Sequence, residues 1–242
     1  MTTIGPNHIS ISFRKFLLMT VFGTWLMNMV AGCGGSSNGD SLDYAALGAS
    51  DVVGVGAVPL TNGYVYLIED SVETESGKGV DLENLGIPGA EIGEIENIEL
   101  EILKRSAQPD LITLSTGAND LVAGDTVSSF EVGLANVLSE LRSISPNAVV
   151  AVSNLPDLTK LPKFQETPDK DVTESRVRAF NAAISRQAER FNVLLVDLYS
   201  VPLEDSYVSD VDGFHPSDAG HQAMAQAFLA VLDPYIPSLG GD

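Results

Sequence analysis

The 242-residue sequence contains one cysteine, one tryptophan, three histidines and only 13 Lys and Arg residues against 33 Asp and Glu, for a formal net charge of −20. The lone cysteine, Cys33, has no partner for an intrachain disulfide and cannot form a thiolate cluster. His8 lies in the N-terminal segment, so only His215 and His221 remain beyond residue 32, too few for a histidine-based metal centre. No metal and no cofactor are therefore predicted. The shortage of cations excludes nucleic acid and a bare anionic bilayer as partners. No internal repeat is evident. The longest apolar run, Phe16 to Val30, is shorter than the roughly 20 residues that span a bilayer.

That run follows Arg14 and Lys15 and contains only Thr20, Thr24 and Asn28 as polar residues, the order of a secretory signal. Val30-Ala31-Gly32-Cys33 closes it and resembles the lipobox of bacterial lipoproteins, which implies cleavage before Cys33 and a lipid on its sulfur. Residues 1–32 are read as the signal, 33–42 as a Gly- and Ser-rich tether and 43–242 as one folded domain. The expected setting is a bacterial cell envelope, with the protein held at a membrane through its N-terminal lipid. Loss of Arg14 and Lys15 takes the net charge to −22, an acidic surface that keeps a monomer soluble.

Two serines compete as nucleophile. Ser41 lies in Gly39-Asp40-Ser41-Leu42 but follows directly on the tether, with no strand behind it. Ser50 follows the apolar run Tyr44-Ala45-Ala46-Leu47 and the small pair Gly48-Ala49, which permit a sharp turn into a helix start. The sequence pattern favours Ser50.

Beyond Ser50, helix-like and strand-like segments alternate, and β-α is repeated about five times. Asn62 to Val72 and the series Ile92, Ile95, Ile98, Ile102 read as helices, and Leu111–Leu114 as a buried strand. Phe130, Leu134, Val137, Leu138 and Leu141 mark a helix behind a Ser128/Glu131 capping box, and Ala148–Val152 a strand. Val177, Phe180, Ile184, Ala188 and Phe191 mark another helix, behind a box at Asp171 and Glu174. Val193–Val196 and a helix from about Ser217 to Leu232, opened by Pro216, complete the series. The predicted fold is α/β, a three-layer α/β/α sandwich with a central parallel sheet of about five strands.

Ligands of such sheets bind beyond the carboxyl ends of the strands. Four polar clusters fall there: Gly48-Ala49-Ser50, Asn84 to Gly89, Gly117-Ala118-Asn119-Asp120 and Asp212-Gly213-Phe214-His215-Pro216. In this order and spacing they resemble the blocks of the SGNH/GDSL hydrolase family, whose fold is flavodoxin-like, over nearly all of residues 43–235. Ala49 and Asp51 stand where the family commonly has Asp and Leu. Matched residue by residue, the resemblance implies Ser50 as nucleophile, His215 as base and Asp212 as its orienter. It also implies an oxyanion hole made by the N–H groups of Ser50 and Gly89 and the Asn119 amide.

The residue chemistry agrees. An aspartate three residues before a histidine can hold its Nδ1 proton and leave Nε2 for the serine. An asparagine donates without titrating, and a glycine lets a substrate oxygen approach its N–H. Asp120 reads as a structural hydrogen-bonding partner and His221 as a structural or surface residue. The expected activity is hydrolysis of a small-molecule, glycan or lipid ester through an acyl-enzyme. An inactive module that binds acylated ligands, or an acyltransferase, is the alternative. Leu158, Leu161 and Phe164, in a long proline-containing segment from Leu155 to Val172, form either a wall facing an acyl group or sugar, or a plain surface loop.

Overall fold

The computed structural model describes residues 41–106 and 108–241. The signal segment, Cys33 and most of the tether lie outside the described residues. The first strand, β1 (Ser41–Gly48), takes in the last two residues of the predicted tether. Leu42 is buried, and Ser41 and Leu42 already pair with Gly79 and Val80. A leucine with an apolar slot to fill extends the strand where the preceding Gly and Ser residues have nothing to bury.

Beyond β1 come α1 (Ser50–Val53), α2 (Tyr64–Ser76) and β2 (Gly79–Asn84). The next helical stretch is composite. A short α3 (Ile92–Glu94) passes into a π-turn (Ile95–Glu99) and then α4 (Leu100–Leu103). β3 (Leu111–Ser115) leads to α5 (Ala118–Ala123) and α6 (Val127–Ile144), and β4 (Val149–Ser153) to α7 (Pro162–Glu166) and α8 (Glu174–Phe191). β5 (Leu194–Val196) and α9 (Asp218–Leu232) end the series.

Among the described residues five strands form one parallel sheet, in the order β2-β1-β3-β4-β5. Alternation along β1 sends Tyr44 and Ala46 to one face, under α2 and α9, and Ala45 and Leu47 to the other, under α6 and α8. The result is the three-layer α/β/α sandwich with five strands. The order reverses between β1 and β3, and in open α/β sheets the ligand crevice lies at that reversal. In-register pairing aligns Gly48, Ser115, Ser153 and Val196 as one row along the carboxyl edge.

The structure departs from the sequence reading in several places. β2 has no apolar run: it is an edge strand whose exposed positions include Asp81. Ile98 and Ile102 do not share the buried face of Ile92 and Ile95. The π-turn adds a residue to one turn, and the buried residues beyond Ile95 are Glu99, Leu100 and Leu103. The N-cap of α6 is Thr126, whose hydroxyl accepts from Ser129 N–H, and that of α8 is Thr173, accepting from Arg176 N–H. Ser217, not Pro216, caps α9, accepting from Gly220 N–H.

Candidate active site

Ser50 is the first residue of α1, immediately past the carboxyl end of β1. Gly48 makes the turn, with φ +137, and packs so tightly on β3 that a Cβ there would lie 2.0 Å from the Ser115 carbonyl oxygen. The first-turn N–H of Ser50 has no acceptor among the described residues, as expected where a helix begins.

His215 lies in the loop before α9. Its carbonyl accepts from Ser209 N–H at 2.8 Å, and Val208 bridges Pro216 on the same loop. The Asp212 carboxylate folds back over this turn: Oδ1 accepts from the N–H groups of Phe214 (2.9 Å) and His215 (3.0 Å). Oδ2 is in short contact with His215 Nδ1. Burial raises the Asp212 pKa, but these bonds outweigh it and hold the carboxyl below the ordinary carboxylate range. His215 Nε2 lies 2.9 Å from Ser50 Oγ. Residues 165 positions apart thus join one hydroxyl–imidazole–carboxylate chain.

Asn119, in the first turn of α5, donates from Nδ2 to the Ala90 carbonyl at 2.9 Å, which uses one of its two amide hydrogens. Asn119 and Ala90 both line the cleft beside Ser50. Gly89 lies at the exposed rim next to Ala90, with φ +84 and nothing within 4 Å of where a Cβ would be. The neighbouring Asp120 is fully buried and accepts from Ile92 N–H at 2.9 Å, tying the Asn119 turn to the start of α3. Burial pushes its carboxyl up to about 6. His221, also fully buried, accepts from Tyr64 N–H at Nδ1 (3.3 Å) and donates from Nε2 to the Val55 carbonyl (3.1 Å). Burial holds its imidazole below its ordinary value, as suits a neutral structural tautomer.

Two further acids lie near Ser50; the sequence marked Asp51 only as a departure from the family pattern and Glu99 not at all. Asp51 accepts from Ser115 Oγ at 2.5 Å, and burial raises its carboxyl. Glu99, at 0% exposure, accepts from Gly48 N–H at 2.8 Å, and burial pushes it up to about 8. A sequence gives no sign that an acid is buried. The available hint was that Glu99 follows Ile92 and Ile95 at helical spacing, on the face they bury.

The cleft runs from Ser50 and His215 across the ends of β4 and β5. Its walls are mainly apolar, including Leu155, Leu158, Leu161, Leu203 and Met224. Leu158 and Leu161 are therefore wall residues, whereas Phe164 packs edge-on against Phe214 at 5.8 Å. Among the described residues no cluster of His, Cys, Asp and Glu is suited to a metal ion, and no helix is long and apolar enough to cross a membrane.

A cleft at the reversal of a parallel sheet, with the Ser50–His215–Asp212 chain at its mouth, defines a hydrolase on a three-layer fold. Residues 39–223 match the profile of the GDSL-like lipase/acylhydrolase family, and the chain belongs to that family; it is a carboxylic ester hydrolase. It is 24% identical over 212 residues to the spore germination lipase LipC of Bacillus licheniformis, covering 78% of this chain and 96% of that protein. In structure it is similar to a Clostridium thermocellum family 3 carbohydrate esterase, with a TM-score of 0.65 and 19% identity over 83% of this chain and 100% of the other. It is also similar to the psychrotrophic esterase EstA from a Pseudoalteromonas species, with a TM-score of 0.62 and 19% identity over 80% of this chain and 98% of the other.

Proposed function

We propose that the protein is a lipid-anchored serine esterase of the bacterial cell envelope that works through an acyl-enzyme on Ser50. The observation that carries this reading is the 2.9 Å contact of His215 Nε2 with Ser50 Oγ, backed by Asp212, at the mouth of an apolar cleft. Ser50 Oγ attacks the ester carbonyl as His215 takes its proton, and Asp212 stabilises the imidazolium. The carbonyl oxygen becomes an oxyanion, received by the N–H groups of Ser50 and Gly89 and the second Asn119 amide hydrogen. Collapse expels the alcohol with the proton from His215, and water repeats the sequence to release the acid and restore Ser50.

The named relatives include a lipase and a carbohydrate esterase. The aliphatic walls fit an acyl chain longer than acetyl better than a sugar, which would leave its hydroxyls facing leucines. A panel of neutral esters of graded acyl length, with acetylated sugars, tests this: kcat/KM should rise from acetyl to medium chains. A fluorophosphonate probe should label the protein. No labelling and no turnover would make the site a binding module for acylated ligands. Ester consumption without free acid would make the protein an acyltransferase.

Asn119→Ala should lower kcat by about 10²- to 10³-fold with little change in KM, because the amide serves the charged transition state. A raised KM at constant kcat would make it a substrate-binding residue instead. The anchor rests on Cys33. Cys33→Ser should leave the precursor unprocessed by the lipoprotein route and shift the protein out of the detergent phase on partitioning. Unchanged processing and partitioning would remove the lipid from this reading.

A further inference from the structure

We propose that Glu99, in its neutral acid form, is a positioning residue for the nucleophile: it completes the hydrogen bonding of Gly48 and so fixes the turn that presents Ser50. This rests on the reading of Ser50 given above. The ladder between β1 and the chain after β2 shows why an acceptor is needed. The Ala46 carbonyl accepts from Leu85 N–H and the Gly48 carbonyl from Ile87 N–H, both at 2.9 Å. The N–H of Gly48, on the same edge, is met by the side chain of Glu99, 51 residues away, at 2.8 Å. Gly48 is thus held by Glu99 at its N–H, by Ile87 at its carbonyl and by the Ser115 carbonyl at its α-carbon. Ser50 is two residues further on.

The acid lies on the buried face of the composite helix, seven residues after Ile92 and four after Ile95, while Ile98 and Ile102 are exposed. A π-turn, Ile95–Glu99, runs through this stretch and ends at the acid. Such turns carry a cost in helix geometry and cluster at functional sites. Glu99 Oε1 is buried and has no hydrogen-bond partner. A residue serving only the packing would be better as leucine, since a buried carboxyl destabilises unless something uses it.

The neutral form is required because no cation among the described residues faces the carboxyl. The titratable groups that reach it are Asp51 on α1 and Tyr64 on α2, and the buried face of α6 is apolar. Ionisation would put a negative charge near Asp51 in a desolvated layer, a cost that the Gly48 bond, which favours the charged form, only partly offsets. With the folded-state pKa raised above that of the unfolded chain, stability is full below about 4.5 and is lost as pH rises through about 8. An alkaline limit on activity follows, set at a residue that does not touch substrate.

The experiment compares wild type, Glu99→Gln and Glu99→Leu for kcat and KM on a neutral ester from pH 6 to 10, with thermal midpoints at each pH and Ser50→Ala as control. Glu99→Leu, which leaves Gly48 N–H without an acceptor, should lower kcat about tenfold or more at roughly constant KM. Glu99→Gln keeps an oxygen acceptor and cannot ionise. It should restore kcat, lack the decline that wild type shows above about pH 8, and gain in thermal midpoint over wild type from pH 5 to pH 8. A parallel alkaline decline in wild type and Glu99→Gln would overturn the proposal, even if Glu99→Leu failed to fold. So would wild-type kcat in Glu99→Leu. Activity that survives Ser50→Ala would overturn the reading of the site and this proposal with it.

Discussion

Ser50→Ala should abolish ester hydrolysis and fluorophosphonate labelling, a loss of at least about 10⁴-fold in kcat, while Ser41→Ala leaves both intact. The two serines sit at opposite ends of β1, which at roughly 3.3 Å per residue separates them by about 25 Å. Ser41 pairs with Gly79 at the amino edge of the sheet, where the strand begins. Ser50 begins a helix at the carboxyl edge, within hydrogen-bonding distance of His215. The tetrapeptide that looks like the nucleophile motif is therefore the start of the strand behind the nucleophile. Active-site titration with the probe, followed by peptide mapping of the labelled serine, reads this directly. Label on Ser41, or activity lost in the Ser41 variant alone, would reverse the assignment.

Gly48→Ala should be the most damaging single-methyl change near the site. A Cβ at this position would lie 2.0 Å from the Ser115 carbonyl oxygen and 2.8 Å from Val52 Cγ2, at a φ of +137 that side chains rarely adopt. The Ser115 oxygen is backbone in the neighbouring strand, so relief requires β1 and β3 to part. A loss of about 3–5 kcal/mol in unfolding free energy is expected, together with loss of probe labelling as Ser50 moves from His215. Urea unfolding followed by circular dichroism would check it. A change below about 1 kcal/mol would show that the turn yields cheaply.

Much of this arrangement was legible in the sequence where burial and chemistry coincide. β1, β3, β4 and β5 could be read as apolar runs because each is covered by helices on both faces. β2 could not, because Asp81 and Glu83 alternate with its apolar residues Val80 and Leu82 and break the run. The helix caps slipped by two residues, from Ser128 to Thr126 and from Asp171 to Thr173, because several hydroxyl and carboxylate residues precede each helix. Ser50 and Asn119 stood out as polar residues just past apolar strands, and Asp212 and His215 by their spacing of three ahead of the last helix. Asp51 and Glu99 did not, because an acid's meaning depends on what lies across from it: Ser115 in one case and Gly48 in the other.

The π-turn also bears on how this chain aligns with its relatives. An extra residue in one helical turn is an insertion, and in a relative without it every residue past the turn would be shifted by one position against this chain. An alignment that slides past the gap would record that shift as a run of substitutions. The physical event would be a change in chain length.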